Sequence, residues 1–150
     1  MQLVEYFKEN LVHLDFAAKD KEEALEKMVK AVEAVGTIED INGLRTALIE
    51  REKLGTTGVG GGIAIPHARS AVVKDITVGF FRSKDGIPFQ AIDNQPVNMI
   101  FLLVAPIASG GAYLKLLAKV SRLLRSDDFR NSLMEATTTK DVLEIIKQSD

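Results

Sequence analysis

The spacing of apolar residues predicts two helices near the start of the chain. After Asp20, and again after Asp40, apolar side chains recur every three to four residues, which is the period of one helix face. Asp20 and Asp40 are suitable N-caps, and Gly36 is suited to end the first helix. The second helix is predicted to end near Lys53, because Arg51 and Lys53 favour the negative end of a helix dipole.

The middle of the chain is predicted to form β-strands. Ile63–Pro66, Ile76–Phe81 and Val97–Val104 are short apolar runs, and the last two are rich in β-branched or aromatic residues. The polar segment Ser83–Gln95 is interpreted as a loop. Met99–Val104 contains no polar residue, which is typical of a strand buried on both faces of a sheet.

Helical periodicity returns in the last third of the chain. Leu114–Leu124 presents a broad apolar face, and two shorter helices are predicted to begin near Asp127 and Thr138. Helices before and after a block of strands indicate an α/β fold in which helices cover both faces of the sheet.

Composition restricts the class of protein. The 150 residues suffice for one domain, 1–150, and 46% hydrophobic and 27% charged residues are ordinary for a globular protein. The net charge of −2 gives no broad basic surface for nucleic acid. The absence of cysteine excludes disulfides, thiolate nucleophiles and cysteine zinc ligands. No signal-peptide pattern and no apolar run of about 20 residues is present, so we expect a cytoplasmic protein without membrane insertion.

A glycine-rich segment precedes one of only two histidines. The stretch GVGGGIAIPHAR, Gly58–Arg69, has glycine at four of its first five positions and places His67 directly after Pro66. The glycines predict either a tight turn into the following strand or a backbone that closely approaches a ligand. Their spacing matches neither a Walker loop nor a dinucleotide-binding fingerprint.

His67 is the candidate reactive residue. A histidine at the end of a strand can be a nucleophile, a proton shuttle or a metal ligand. Metal binding has little support, because His13 is the only other histidine and no acidic cluster has ligand spacing. A phosphoryl acceptor fits better, because phosphoryl transfer mainly requires donors around the transferred oxygens. Such donors near His67 in the sequence are Thr56, Thr57, Arg69, the backbone amides of Gly58 and Gly60–Gly62, and Arg51 at the end of the preceding helix.

The acidic residues beside Arg51 have two interpretations. Glu50 and Glu52 lie in the last turns of the second predicted helix, where charged side chains are usually solvated. We expect them to be either solvated helix charges or side chains that orient Arg51.

Two adjacent segments resemble a known family signature. Arg51–Gly58 (REKLGTTG) and Gly60–His67 (GGGIAIPH) resemble the signature of the mannitol/fructose-type (type 2) enzyme IIA domain of the bacterial phosphoenolpyruvate:sugar phosphotransferase system, a family that includes the nitrogen-regulatory IIA proteins. Further landmarks follow in family order over nearly the whole chain: DKEEAL at Asp20–Leu25, DGIPF at Asp85–Phe89, FLLVAP at Phe101–Pro106 and LKLLAKVSRLL at Leu114–Leu124.

The resemblance implies both a fold and a chemistry. The implied fold is a single α/β domain with a mixed sheet flanked by helices. The implied chemistry is that of a phosphotransferase component with a phosphohistidine intermediate and no cofactor or metal. His67 would accept a phosphoryl group from the phosphocarrier HPr and pass it to a IIB domain or serve a regulated target. Arg51 would bind phosphoryl oxygens, and Thr57, with Thr56 and Gly58 beside it, would orient or hydrogen-bond the site.

One position departs from the family pattern. Many members carry a second histidine just before the segment that matches Leu114–Ala118, where this chain has Tyr113. Histidine can become cationic beside a phosphoryl group, whereas a neutral tyrosine only exchanges hydrogen bonds. The substitution is compatible with slower transfer, with an altered partner, with a regulatory binding module that does not transfer, or with simple packing.

The chain carries no other part of a transport system. It contains no IIB-like cysteine and no IIC-like membrane segment. This composition favours a free-standing regulatory protein over the IIA component of a fructose/mannitol-type sugar uptake system.

Overall fold

A six-stranded mixed β-sheet forms the centre of the computed structural model, which describes all residues from Met1 to Asp150. The strands are β1 Phe7–His13, β2 Gly58–Gly60, β3 Ile63–Ala64, β4 His67–Arg69, β5 Thr77–Ile87 and β6 Val97–Ala105. The central strands β5 and β6 are antiparallel, whereas β1 is parallel to β5, and β3 and β4 are parallel to β6. The spatial order is β1-β5-β6-β3-β2, with β4 pairing separately with β6.

Five α-helices lie where the sequence predicts them. The side chains of Asp20 and Asp40 accept hydrogen bonds from backbone amides at the two early helix starts, and Gly36 ends the first helix with a left-handed φ of 81°. Ser126 and Thr138 cap the last two helices in the same way. The helices are α1 Lys21–Val35, α2 Ile41–Leu54, α3 Gly110–Leu123, α4 Asp127–Glu135 and α5 Thr139–Ser149. Not one of them has the length and apolar character needed to traverse a bilayer.

The sheet separates two apolar cores, and β6 contributes to both. Ile100 and Leu102 pack in the cluster that α1 and α2 cover, whereas Phe101 and Leu103 pack in the cluster that α3, α4 and α5 cover. Alternate residues of a strand point to opposite faces, so a strand with helices on both sides is apolar throughout. The predicted α/β class, the mixed sheet and the helices on both faces are confirmed.

The edge strand β1 was not predicted from the sequence. Its middle residues Lys8, Glu9 and Asn10 are polar, and Glu9 and Asn10 are exposed. β1 pairs with only one neighbour, β5, so its outer side faces solvent and shows no alternating apolar pattern.

The predicted loop Ser83–Gln95 is wrong at its start, because β5 continues to Ile87. Arg82 on this strand is buried, with 4% of its surface exposed. Its guanidinium lies at the carboxyl end of α4, where unpaired carbonyls favour a cation. It donates hydrogen bonds to the carbonyl oxygens of Leu14, Leu133, Met134 and Ala136 at 2.6 to 3.3 Å.

The structure places His67 at the first residue of β4. The predicted strand Ile63–Pro66 is confirmed for β3, and Ile65 and Pro66 then connect β3 to β4. Pro66 lacks an amide hydrogen, but its carbonyl accepts from the Leu103 amide at 3.0 Å, and His67 lies opposite Leu103 in the parallel register. β6 therefore fixes the backbone that carries His67.

Candidate functional site

His67 lines a cleft of about 830 Å³ between the end of α2 and the start of α3. Arg51, Arg69 and Tyr113 line the cleft with His67, and three exposed apolar side chains, Leu54, Ile107 and Leu114, lie at its rim. Three lining side chains are cationic, Arg51, Lys53 and Arg69, and only Glu50 is anionic. An open, cationic, apolar-rimmed cleft suits an anionic group presented by another protein.

The hydrogen bonds of His67 select one tautomer. Nδ1 lies 2.7 Å from the carbonyl oxygen of Ile65, which can only accept, so Nδ1 carries the proton. Arg51 Nε donates to Nε2 of His67 at 3.3 Å, which requires a lone pair on Nε2. The ring therefore presents an unprotonated Nε2 to the cleft.

The surroundings of His67 favour the neutral imidazole. Burial lowers the pKa of His67 below its ordinary value of 6.5, and the nearby Arg51 charge lowers it further. The hydrogen bond to the Ile65 carbonyl acts in the opposite direction without reversing the shift. A neutral imidazole with a free ring nitrogen is the form that acts as a nucleophile.

Arg51 is held in place while part of its guanidinium stays available. One terminal nitrogen, Nη1, donates to the Gly55 carbonyl at 2.9 Å, beside the end of α2. The Nε edge faces His67, and the second terminal nitrogen has no partner in the protein. Arg51 can therefore contact an anion on Nε2 without losing its anchor to the backbone.

Tyr113 lies beside His67 and lines the same cleft as Arg51. It is buried in the first turn of α3, and its ring centroid is 6.2 Å from that of His67. Burial raises the pKa of the Tyr113 hydroxyl above its ordinary value of 10.0, so the side chain is neutral near pH 7. Its hydroxyl makes no hydrogen bond within the protein and is not sealed from solvent.

Thr57, Thr56 and Gly58 lie outside the cleft lining, in a buried polar network. The carboxylate of Glu52 accepts from the Thr57 amide at 2.7 Å and from the Thr57 hydroxyl at 2.6 Å. Lys21 donates to Glu52 at 2.8 Å and to the Thr56 hydroxyl oxygen at 3.1 Å. That oxygen also accepts from the Gly58 amide at 3.1 Å. The two threonine hydroxyls are therefore engaged with Glu52 and Lys21 rather than with His67.

Glu52 is buried, with 8% of its surface exposed, so the expectation of a solvated helix charge is wrong for this residue. Burial alone would raise the pKa of Glu52. The hydrogen bonds from Lys21 and Thr57 outweigh that effect and hold the pKa below the ordinary 4.5. Glu50, one residue before Arg51, is exposed as expected.

The network reaches His67 through the main chain. The carbonyl of Thr57 accepts from the Ile65 amide at 2.9 Å, and the carbonyl of Ile65 accepts from His67 Nδ1. Glu52 thereby helps to fix the strand segment that orients the imidazole, although it does not contact the ring.

Glu52→Gln is expected to destabilise the protein by about 2–4 kcal/mol at pH 7, because it leaves the Lys21 ammonium without its carboxylate. The Glu52 contribution is present above the unfolded pKa and is lost as pH falls through the lower folded pKa. Urea denaturation at pH 7 and pH 4 measures this loss. Glu50→Gln is the matched control, and we expect it to change stability by less than about 0.5 kcal/mol. Equal effects of the two substitutions would contradict the burial argument.

The glycines form a turn outside the His67 cleft. Gly60, Gly61 and Gly62 have φ values of 94°, 66° and 80°, which favour glycine, and they join β2 to the antiparallel β3. The Gly61 amide donates to Asp93 at 3.0 Å. Among the two interpretations of the glycine run, the geometry is that of a tight turn into a strand.

A second groove, of about 530 Å³, lies between α1 and α2. Its main charges are paired already, because Arg45 binds Glu26 at 2.8 Å and Lys21 binds Glu52. No three histidine or acidic side chains converge as a metal site would require. The cleft at His67 is therefore the candidate functional site.

The sheet between two helical layers and the oriented imidazole beside Arg51 define a small α/β protein with one histidine in an open cleft. The chain matches the family model described as "Phosphoenolpyruvate-dependent sugar phosphotransferase system, EIIA 2" over residues 5–149. It belongs to this type 2 EIIA family.

Relatives within the family carry two kinds of name. The fructose-specific EIIA component of Haloferax volcanii is 37% identical over 138 residues, which are 92% of this chain and 90% of that protein. The fructose-specific EIIABC component of Bacillus subtilis is 33% identical over 150 residues, and this chain spans 24% of its length. The crystal structure of the nitrogen regulatory protein IIA-Ntr from Neisseria meningitidis superposes with a TM-score of 0.89 at 32% identity, covering 96% of this chain and 98% of that one.

Proposed function

We propose that this protein is a phosphoryl-transfer protein whose His67 accepts a phosphoryl group from phospho-HPr. The observation that carries the proposal is the orientation of the ring. The Ile65 carbonyl holds Nδ1–H, and the Nε2 lone pair faces an open cleft beside Arg51. Membership of the type 2 EIIA family supports the same chemistry. An exchange with HPr would take place in the cytoplasm, as the sequence predicts.

The proposed step is a displacement at phosphorus. The Nε2 lone pair forms a new bond to phosphorus, and the phosphorus–nitrogen bond of the donor phosphohistidine breaks. The electron pair of that bond remains on the donor nitrogen. The Nδ1 proton stays on the ring and keeps its hydrogen bond to the Ile65 carbonyl. The step therefore needs no general base.

Arg51 has a role before and during the step. In the free protein the Nε–H group of Arg51 donates a long hydrogen bond of 3.3 Å to the lone pair on Nε2 of His67. For Nε2 to attack, that donor must move, and the nearest new acceptors are the equatorial phosphoryl oxygens. A guanidinium there stabilises the charge spread over those oxygens in the transition state.

The names of the relatives indicate two destinations for the phosphoryl group. A fructose-specific EIIA component would pass it to a IIB domain, whereas a nitrogen regulatory protein would present its phosphorylation state to a target. Tyr113 is the observation that favours the regulatory destination, because it supplies no second titrating imidazole beside His67.

Reconstitution with phosphoenolpyruvate, enzyme I and HPr tests the proposal. Intact-mass analysis is expected to find an acid-labile gain of about 80 Da, one phosphoryl group on histidine. Phosphorus NMR of the product distinguishes Nε2 from Nδ1 attachment, and a chase with a IIB domain distinguishes transport from regulation. No gain with an active HPr control would reject phosphoryl transfer from HPr and favour a binding module of the same fold.

His67 is expected to titrate below pH 6.5, because burial and Arg51 both disfavour its protonated form. Most molecules should then carry a nucleophilic imidazole at pH 6.5, where an ordinary imidazole is half protonated. A proton–nitrogen NMR titration of the ring measures the midpoint and the tautomer. Arg51→Gln should raise the titration midpoint of His67, because it removes one of the two effects that lower the pKa, the charge of Arg51. A midpoint above 6.5 in the wild type would contradict the assignment.

A further inference from the structure

We propose that Arg69, which lies over the ring of Tyr113, binds the phosphoryl group on His67 together with Arg51. This inference rests on the proposed phosphorylation of His67 and adds a second cation to the site. Arg69 would supply the positive charge that the neutral Tyr113 beside it does not supply.

The strand geometry directs Arg69 to the same face as His67. The two residues are separated by Ala68 in β4, and alternate residues of a strand point to the same side of the sheet, about 6.6 Å apart. Ala68 points to the opposite side and packs in the core beneath α1 and α2. The side chain of Arg69 is therefore long enough to reach a group that is bonded to Nε2 of His67.

Two contacts hold the guanidinium at the start of α3. Its central carbon is 5.4 Å from the centroid of the Tyr113 ring, which is a cation–π distance. One terminal nitrogen, Nη1, lies close to Gly110. A side chain at position 110 would place its Cβ atom 3.3 Å from that nitrogen. Tyr113 also lies near His67, with 6.2 Å between the ring centroids, so the tyrosine is a neighbour of both the arginine and the histidine.

Arg69 has no anionic partner in the protein. It makes no ion pair and donates no hydrogen bond, whereas Lys21 and Arg45 each pair with a glutamate. The positive end of the α3 dipole is adjacent, which disfavours a cation there unless an anion is also present. Glu50, the acidic residue of the cleft, is exposed at its α2 side. The unpaired guanidinium is thus positioned to bind a phosphoryl oxygen.

The test uses two phosphoryl donors. Phosphoramidate is small and bypasses HPr: Nε2 of His67 bonds to phosphorus, the donor phosphorus–nitrogen bond breaks, and its nitrogen leaves as ammonia. Arg69→Gln is expected to slow labelling by both phospho-HPr and phosphoramidate roughly 10- to 100-fold, a moderate loss for an oxyanion donor because Arg69 is exposed. Arg125→Gln, an exposed arginine beyond the end of α3, is the matched control.

A double-substitution cycle tests the coupling to Tyr113. Tyr113→Leu is expected to cause a loss similar to that of Arg69→Gln, and the double variant should lose little more than either. Thermal melting separates this result from misfolding, because Arg69 is exposed and its one contact with the Tyr113 ring should change the melting temperature little. The Arg69 defect should also shrink at high salt.

The outcomes separate this inference from the proposed function. Labelling by phosphoramidate but not by phospho-HPr, with the Arg69 defect retained, would reject the HPr donor and support the role of Arg69. A defect with phospho-HPr alone would overturn the inference, because Arg69 would then contact only the carrier. Equal labelling of the Arg69→Gln and Arg125→Gln variants by phosphoramidate would overturn it as well.

Discussion

Replacing His67 with alanine is expected to abolish phosphorylation completely in the reconstituted system. His67 is the only imidazole that lines the cleft, and its Nδ1 hydrogen bond leaves Nε2 to bond to phosphorus. Intact-mass analysis after incubation with phosphoenolpyruvate, enzyme I and HPr should find no gain of about 80 Da at any time.

His13→Gln is the matched control for this result. His13 is the only other histidine; its Nε2 lies 3.1 Å from the Asn10 carbonyl at the exposed edge strand β1. The control variant should gain the full mass. His67→Gln keeps most of the side-chain volume and should be as inactive as His67→Ala, which separates chemistry from folding. Phosphorylation of the His67→Ala variant would show that another residue accepts the phosphoryl group and would reject the assignment of His67.

Replacing Arg51 with glutamine is expected to reduce the rate of phosphoryl acceptance about 10²- to 10³-fold, which is typical for the loss of one charge-stabilising donor. Arg51→Lys should recover only part of the rate, because an ammonium cannot bind the Gly55 carbonyl and a phosphoryl oxygen with one planar fork. Quenched-flow measurement of mass gain gives both rates.

Arg45→Gln serves as the control for Arg51. It removes the same charge from the same helix, but Arg45 binds Glu26 and lies outside the His67 cleft. We expect the Arg45 variant to transfer at the wild-type rate. If both arginine variants lost the same activity, a general effect of charge on HPr docking would replace the direct contact as the explanation.

Helices were predictable because their signals are local. Asp20, Asp40 and Thr138 cap helices at the predicted positions, and each uses its side chain on an amide three residues later. The uninterrupted apolar run of β6 was equally informative, since two helical layers bury it from both sides.

Elements whose character depends on distant neighbours were not predictable. β1 is polar at its centre because it occupies a sheet edge, which depends on strand order. The extension of β5 carries a buried Arg82 because α4, about 50 residues later, ends against it and offers carbonyl oxygens. Neither β1 nor the end of β5 shows a periodic pattern of apolar residues in its own sequence that would reveal these distant neighbours.

The site shows the same division. The prediction that Arg51 and His67 lie together agrees with their 3.3 Å contact. The burial of Glu52 depends on Lys21, 31 positions earlier in the chain, and local charge spacing does not reveal that partner. The roles proposed for Thr57 and Tyr113 remain predictions. The structure shows only that Thr57 binds Glu52 and that Tyr113 lies near both His67 and Arg69.

The group that orients His67 belongs to the main chain, and this has an evolutionary consequence. Every amino acid at position 65 supplies a carbonyl, so no single codon change can delete the acceptor of Nδ1–H. Selection at that position acts on packing, because Ile65 is buried, and on the backbone amide, which binds the Thr57 carbonyl. Drift at position 65 can therefore alter the packing beneath the site, while the Nδ1–H tautomer of His67 is inherited unchanged.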